Sequence, residues 1–240
     1  MAASKEDARA YAEHGYVVAR ELFSPDEAAA MREHYMSLRA EGPRPGDFGG
    51  TADQPEDPTH SYPRLINMHA YDVASKEWAA DPRILGYIAT LIDDSAVLQQ
   101  SMLYFKPPGG RGQGLHQDQQ YITIDPLVGM WMALDPSDEE VGCMTVAPGT
   151  HRLGMLAVQA ADTSESFTDV EAVMPPSVVE TPLLMAPGDV VFFHAKIVHG
   201  SYANRSADRW RRSFICHYVG AHATSFDADP GTHVSHVGRD

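Results

Sequence analysis

In the first 95 residues or so, apolar residues recur every three or four positions, a spacing typical of amphipathic helices. The clearest start signal is Ser24-Pro25-Asp26-Glu27, where an N-cap serine precedes a proline and a glutamate lies three residues on. The apolar stripe that follows is Ala28, Met31, Tyr35 and Leu38. This segment therefore predicts an amphipathic helix with one buried face.

The same region predicts two further helices and a long loop. One helix follows Ser4, with Asp7 in capping position and Gly15 closing it, and another begins at Asp81-Pro82. A strand-like Tyr16-Val17-Val18-Ala19 follows the first of them. The stretch 41–60 is rich in Gly, Pro and Asp without apolar periodicity, which predicts a long irregular loop.

After Ala96 the pattern changes to short segments rich in β-branched and aromatic residues, separated by Pro and Gly turns. The predicted strands are 96–106, 115–124, 127–134, 141–147, 183–186, 190–193, 197–203 and 212–219. Eight such strands predict a mainly β fold, a double-stranded β-helix (jelly-roll, cupin-like). We expect one domain over 1–240, with a core at about 96–220 under an N-terminal helical layer at about 1–95. Residues 157–182 are predicted to form an excursion over the barrel mouth.

Composition narrows the classes of partner. The chain has 240 residues, 43% of them hydrophobic, and a net charge of −15 from 33 acids and 18 bases. This charge disfavours nucleic acid and anionic membranes, and no apolar run reaches the length of a membrane span. A charged N-terminus and only two cysteines, Cys143 and Cys216, predict a cytoplasmic protein with reduced thiols. We expect a small-molecule partner; the oligomeric state is not indicated.

The candidate chemistry begins at His116-Gln117-Asp118. The histidine and aspartate lie two apart on a predicted strand, so their side chains are expected on one face, where they can share a metal. His199, which precedes Gly200 at the end of an apolar segment, is the expected third ligand. His194 would face away from His199 if both lay on one strand, which predicts a core or supporting role for it.

A basic strand follows these histidines. Arg211 and Ser213 are two apart between apolar neighbours, and an inward arginine requires an anion, such as a carboxylate of 2-oxoglutarate. A solvated basic cluster over 209–212 is the alternative, and alternation alone does not decide which of these arginines faces inward.

Taken together, these motifs resemble the phytanoyl-CoA dioxygenase family of iron(II)- and 2-oxoglutarate-dependent oxygenases. The resemblance covers nearly the whole chain, and its order is more specific than any single motif. In order, the motifs are Gly15-Tyr16-Val17-Val18, Gln100 to Pro108, His116-Gln117-Asp118, Trp131-Met132-Ala133-Leu134, Gly142 to His151, Pro187-Gly188-Asp189, His199-Gly200-Ser201 and the arginine strand.

The resemblance implies a role for each matching residue. His116, Asp118 and His199 would bind Fe(II), and Arg211 would bind the distal carboxylate of 2-oxoglutarate. Further cosubstrate contacts would come from Ser213, Ser201, Tyr104 and Trp131, and candidate substrate contacts are Gln100, Gln119 and Lys196. The implied reaction consumes O₂ and 2-oxoglutarate, releases succinate and CO₂, and hydroxylates a substrate C–H bond.

Several alternatives stay open from the sequence. The same oxidant also serves desaturation and ring formation, as in secondary metabolism. A non-catalytic ligand-binding jelly roll and a cupin-like barrel with another metal are the other candidates, both disfavoured by the arginine strand. The presence of Asp118 disfavours a halogenase, which leaves that ligand position free. The modest length and the loops argue against an acyl-CoA substrate and favour a small polar metabolite or a natural-product intermediate.

Overall fold

A computed structural model describes residues 2–48 and 57–225, which form four α-helices and twelve strands. The helices are α1 Lys5–His14, α2 Pro25–Ala40, α3 Val73–Ala79 and α4 Pro82–Ile92. The first six strands are β1 Tyr16–Ala19, β2 Leu65–Ile66, β3 Ala96–Lys106, β4 Gln113–His116, β5 Ile124–Ala133 and β6 Met144–Ala147. The others are β7 Val158–Ala160, β8 Val170–Ala172, β9 Thr181–Pro182, β10 Val190–His194, β11 Val198–Ser201 and β12 Arg211–Ser225.

The predicted caps of the N-terminal helices are present. Ser4 and Ser24 each form a capping box, with Asp7 and Glu27 as the respective N3 acids. Gly15 ends α1 with φ of +84°, a left-handed conformation that suits glycine because it lacks a Cβ atom. The stripe predicted for α2 is its buried face.

Two antiparallel sheets form the core, as expected for a jelly roll. The larger has the strand order β1-β10-β5-β12-β3-β2 and the smaller β4-β11-β6-β9, while β7 and β8 form a separate hairpin. Eight strands of these two sheets, all except β1 and β2, fall in the C-terminal two-thirds of the chain and constitute the predicted barrel. Strands β1 and β2 come from the N-terminal part, so the helical layer is also joined to the sheet by hydrogen bonds.

The larger sheet is buried on both faces, and strand alternation separates two cores. On β12, Phe214 and Tyr218 belong to the cluster that the helices cover, whereas Ile215 belongs to the cluster inside the barrel. Ring contacts join the helices to the sheet, with centroids 5.7 Å apart for Tyr35 and Phe214. The odd-numbered positions of β12 therefore face the barrel interior.

The predicted strand 115–124 is wrong. Strand β4 ends at His116, a 3-10 turn occupies Asp118–Gln120, and β5 begins only at Ile124. His116 and Asp118 consequently do not share a strand face. Their side chains meet because the chain turns immediately after the histidine, which alternation does not describe.

The single strand assumed for His194 and His199 is also wrong. Strand β10 ends at His194 in the larger sheet, and β11 carries His199 in the smaller one. His194 lies apart from the other candidate ligands, because its ring packs near Tyr11 and His151.

Other boundaries differ by smaller amounts. Strand β6 begins at Met144 instead of 141, and in place of a strand at 183–186 there is an isolated bridge between Met185 and Ser137. Helix α3 was not predicted. Part of the predicted loop 41–60, residues 49–56, lies outside the described residues. The excursion 157–182 contains the β7–β8 hairpin, and β8 packs beside β4.

Two findings concern membrane-spanning helices and the cysteine thiols. Across the two described stretches, no helix combines the length and the apolar character needed to cross a bilayer. Cys143 and Cys216 are both buried, free thiols.

His194 gives a prediction for stability. Burial, and then the neighbouring His151, lower its pKa from 6.5 to about 4. Between these values the unfolded chain holds the proton and the folded chain does not, so this contribution is present above pH 6.5 and is lost as the pH falls. We expect His194→Asn to remove part of this pH dependence, at most about 3 kcal/mol, in denaturant unfolding of the metal-free protein. Exposed His222 is the control; equal slopes for wild type and His194→Asn would contradict the prediction.

Candidate metal centre

Three of the predicted residues converge where β4 and β11 pair. His116 and His199 lie directly opposite each other across these strands, with ring centroids 4.2 Å apart. Asp118 reaches them from the 3-10 turn, and its Oδ1 lies 3.4 Å from His116 Nε2 and 3.6 Å from His199 Nε2. One ligand atom from each residue lies within 4.8 Å of the others, and all three residues are buried.

The hydrogen bonds of the two imidazoles leave the right atoms for a metal. Nδ1 of His116 bonds the Gly114 carbonyl at 2.9 Å, and Nδ1 of His199 bonds the Ile197 carbonyl at 3.2 Å. Since a carbonyl only accepts, each Nδ1 carries a proton, which makes Nε2 the atom available to a metal; on His116 this atom lies 3.0 Å from the Gln113 amide nitrogen, which a bound metal would displace. Two neutral nitrogens and one carboxylate oxygen are the donor set of non-haem iron(II) sites.

Charge at the cluster also suits a cation. Burial alone would raise the pKa of Asp118, but the surrounding imidazoles hold it well below its usual range. Burial, and then His116, lower the pKa of His199 to about 4. At neutral pH the cluster is thus one carboxylate with a neutral His199 beside it, which favours a divalent cation.

His217 fixes the orientation of the carboxylate. Its Nε2 lies 2.8 Å from Asp118 Oδ2, so that oxygen is occupied and Oδ1 is turned toward the two ligand histidines. His217 is itself buried on β12 and lines the metal cavity. Such a partner behind a ligand keeps it in one rotamer and lowers the cost of binding the metal.

We expect His217→Leu to weaken metal binding by about 10- to 100-fold, because Asp118 loses the donor that orients it. Mn(II) affinity, measured by titration of the metal-free protein, checks this. His217→Gln keeps an N–H donor and should lose less. Equal affinity for wild type and His217→Leu would exclude the positioning role.

Arg211 is the arginine that faces the barrel interior. It is buried and donates from Nη1 to Ser213 Oγ at 2.9 Å, and its Nε has no partner within residues 2–48 and 57–225. Arg212 instead binds Asp135 through two nitrogens, and Arg209 binds Asp138 and Glu140. The solvated-cluster alternative therefore does not describe Arg211.

A buried lysine lies near Arg211. Lys106 Nζ donates to Ser201 Oγ at 2.9 Å and to the carbonyls of Gly142 and Tyr202. Burial, and then the charge of Arg211, hold the pKa of Lys106 well below its usual range. Two basic side chains and two hydroxyls thus gather in the barrel interior, a suitable receptor for a carboxylate.

The remaining predicted cosubstrate residues line the same cavity. Trp131 lies on β5 with the Arg211 guanidinium 5.4 Å from its ring centre. Tyr104, on β3, borders the metal cavity and a second cavity beside it. Tyr104, Trp131, Ser201 and Arg211 all belong to the lining of the metal cavity, and Ser213 is held by Arg211.

The three predicted substrate contacts do not line the metal cavity. Lys196 pairs with Asp125 at 2.9 Å, and the Gln119 amide donates to the carbonyls of Ile122 and Ile124. Gln100 lies on β3 opposite His217 in the strand register. In this conformation Lys196 and Gln119 have structural partners, and a role in binding substrate stays a prediction for all three residues.

Four residues at or beside the site were missed from the sequence. His217 follows Arg211, Ser213 and Ile215 on the same face of β12, and Lys106 follows Tyr104 on the same face of β3. Continuing the inward-facing positions of each strand by two residues would have predicted both His217 and Lys106. Gln113, whose amide lies 3.0 Å from His116 Nε2, and Arg64, which lines the second cavity, carry no comparable signal.

Comparison with known proteins adds an independent observation. The model of the family described as phytanoyl-CoA dioxygenase (PhyH) matches residues 11–213, most of the chain. The chain belongs to the phytanoyl-CoA dioxygenase family. The resemblance stated from the motifs is thereby confirmed.

The relatives of this chain are named for different substrates. Peroxisomal phytanoyl-CoA dioxygenase of Rattus norvegicus is 27% identical, over 99% of this chain and 74% of the relative. A probable alpha-ketoglutarate-dependent hypophosphite dioxygenase of Stutzerimonas stutzeri is 26% identical, over 91% and 79%. The crystal structure of the epimerase SnoN with Fe3+, alpha ketoglutarate and nogalamycin RO gives a TM-score of 0.74 at 22% identity, covering 96% and 91%, which supports the fold.

These findings confirm the class of protein. This family member is a 2-oxoglutarate-dependent non-haem iron dioxygenase with a jelly-roll core, and iron and 2-oxoglutarate are its cofactor and cosubstrate. The names of its relatives include both phytanoyl-CoA and hypophosphite, which are chemically unlike. Family membership therefore does not fix the substrate.

Proposed function

We propose that the protein binds Fe(II) through His116, Asp118 and His199 and uses 2-oxoglutarate and O₂ to hydroxylate a C–H bond of a small organic molecule. Succinate and CO₂ are the coproducts. The observation that carries this proposal is the convergence of three ligand atoms beside an interior Arg211 with no carboxylate bound to it among the described residues. We favour a small polar metabolite or a natural-product intermediate as substrate.

Metal, cosubstrate and protein side chains have separate tasks in this reaction. Bound iron and 2-oxoglutarate supply the oxidising power, by coupling activation of O₂ to loss of CO₂ from the keto acid. Arg211 and Lys106, with Ser213 and Ser201, bind the distal carboxylate of the keto acid and so set its orientation. The buried position of these cations removes competing water, which strengthens the charge-assisted hydrogen bonds to the ligand.

The protein also protects the site from solvent. The cavity wall between the polar groups is formed by Met102, Met144, Phe193 and Ile215, which belong to the apolar cluster inside the barrel. These side chains limit the entry of water to the reacting centre, and they constrain the approach of the substrate.

Anaerobic reconstitution tests the proposal. Wild-type protein with Fe(II) and 2-oxoglutarate should develop the weak visible charge-transfer band of a keto acid chelated to iron. Succinate release across a panel of candidate metabolites then identifies substrates, and product analysis separates hydroxylation from desaturation or ring formation. Absence of both the band and succinate release would reject the proposed function.

A further inference from the structure

A second cavity adjoins the metal cavity, and Arg64 is one of the residues that line it. The two cavities share Tyr104 and Arg211 as lining residues. Arg64 follows the loop after α2 and is fixed by two backbone hydrogen bonds to Phe48, at 2.8 and 3.0 Å. Its position is thus set by main-chain pairing as well as by its side chain.

Aromatic rings surround the guanidinium. Its central carbon lies 4.0 Å from the ring centre of Phe167, 4.4 Å from that of Phe48 and 4.5 Å from that of Tyr104. Nη1 donates to the Tyr104 hydroxyl at 2.9 Å. The rings stabilise the positive charge and hold the group in place, but they supply no negative charge.

Arg64 has no carboxylate partner within 2–48 and 57–225, unlike three other arginines that are buried or half-buried. Arg83, Arg111 and Arg212 each form an ion pair with an aspartate. Nε and Nη2 of Arg64 also have no acceptor in those ranges. A fixed guanidinium with two adjacent donors is suited to bind a carboxylate or a phosphate through two parallel hydrogen bonds.

The surrounding charge favours a second anion in addition to 2-oxoglutarate. Arg64, Lys106 and Arg211 line the second cavity together, and the charges of the two arginines act against protonation of Lys106. In the proposed function, the distal carboxylate of 2-oxoglutarate neutralises the group formed by Arg211 and Lys106. Arg64 lines the second cavity but not the metal cavity, and no carboxylate among the described residues pairs with it.

We infer that Arg64 binds an anionic group of the primary substrate, a carboxylate or a phosphate, while Phe48 and Phe167 pack against the apolar part next to it. The inference rests on the proposed function, because it takes the adjoining metal cavity as the place of oxidation. It narrows the substrate class to organic molecules that carry a carboxylate or a phosphate.

Binding of simple probes tests this without knowledge of the substrate. The full chain is loaded with Mn(II) and saturated with 2-oxoglutarate, so that Arg211 is occupied. Benzoate with benzamide, and phenyl phosphate with phenol, form two pairs of anionic and neutral probes whose affinities are measured by calorimetry or ligand-observed NMR. We expect at least one anion to bind about 10-fold more tightly than its neutral counterpart, and the better pair identifies the anion as carboxylate or phosphate.

Variants locate the site of this preference. Arg64→Gln should abolish the preference for the anion while 2-oxoglutarate affinity stays unchanged, and Arg64→Lys should keep part of it. Arg205→Gln is the matched control, because Arg205 is an exposed arginine paired with Glu165. Thermal melting of each variant distinguishes lost binding from lost folding.

Two results would overturn the inference: anionic probes that bind wild type no better than neutral ones, or a preference that survives undiminished in a folded Arg64→Gln variant. The wild-type comparison decides even where Arg64→Gln does not fold. Failure here is separable from failure of the proposed function, since a wild type that forms the keto acid chelate and releases succinate would refute only the role of Arg64.

Discussion

Replacing Asp118 with alanine should reduce succinate formation by at least about 100-fold, because the cluster of His116, Asp118 and His199 loses its carboxylate and keeps two imidazoles. The loss should appear first in binding. Mn(II) affinity, measured on the metal-free variant, should fall by a comparable factor, and raising the metal concentration should restore little activity.

The control for this change is Asp125→Ala. Asp125 lies on β5 and pairs with Lys196, outside the metal cavity. It should retain metal affinity and turnover. Unchanged succinate formation in Asp118→Ala would remove Asp118 from the ligand set and require another carboxylate at the centre.

Replacing Arg211 with alanine should raise the apparent KM for 2-oxoglutarate by about 100-fold, since the distal carboxylate loses a buried, charge-assisted partner. Metal affinity measured without 2-oxoglutarate should change little, because Arg211 makes no contact with the three ligands. The two measurements together separate cosubstrate binding from metal binding.

Arg212→Ala is the matched control for Arg211→Ala. It removes the same side chain from the next residue of β12, but from the opposite face, where it binds Asp135. We expect reduced stability and an unchanged KM for 2-oxoglutarate. A large rise in KM in Arg212→Ala, and none in Arg211→Ala, would show that the strand faces are assigned the wrong way round.

Sequence patterns predicted the elements that depend on local chemistry. The capping boxes at Ser4 and Ser24 and the buried stripe of α2 follow from residues within one or two helical turns, so the sequence contains all the information needed. The grouping of His116, Asp118 and His199 was predicted as well, although the geometric reason given for the first two was wrong.

What the sequence did not predict depends on contacts between distant segments. Arg64 is defined by Phe48, Tyr104 and Phe167, which lie 16 to 103 residues from it and converge only in the folded barrel. The 3-10 turn at Asp118 is stabilised in the same way, because Gln117 within the motif donates to the carbonyls of Gly154 and Lys196. Periodicity contains no information on such partners.

The pairing of His116 with His199 across β4 and β11 has a consequence for the choice of metal. Both imidazoles are already fixed by hydrogen bonds to backbone carbonyls, so folding alone assembles the metal site. Such a site discriminates little among divalent ions of similar size. The intrinsic order of affinity places zinc and copper above ferrous iron at such ligands. Protein isolated from cells should therefore carry a mixture of metals set by their availability, and exchange into iron should proceed without unfolding the barrel.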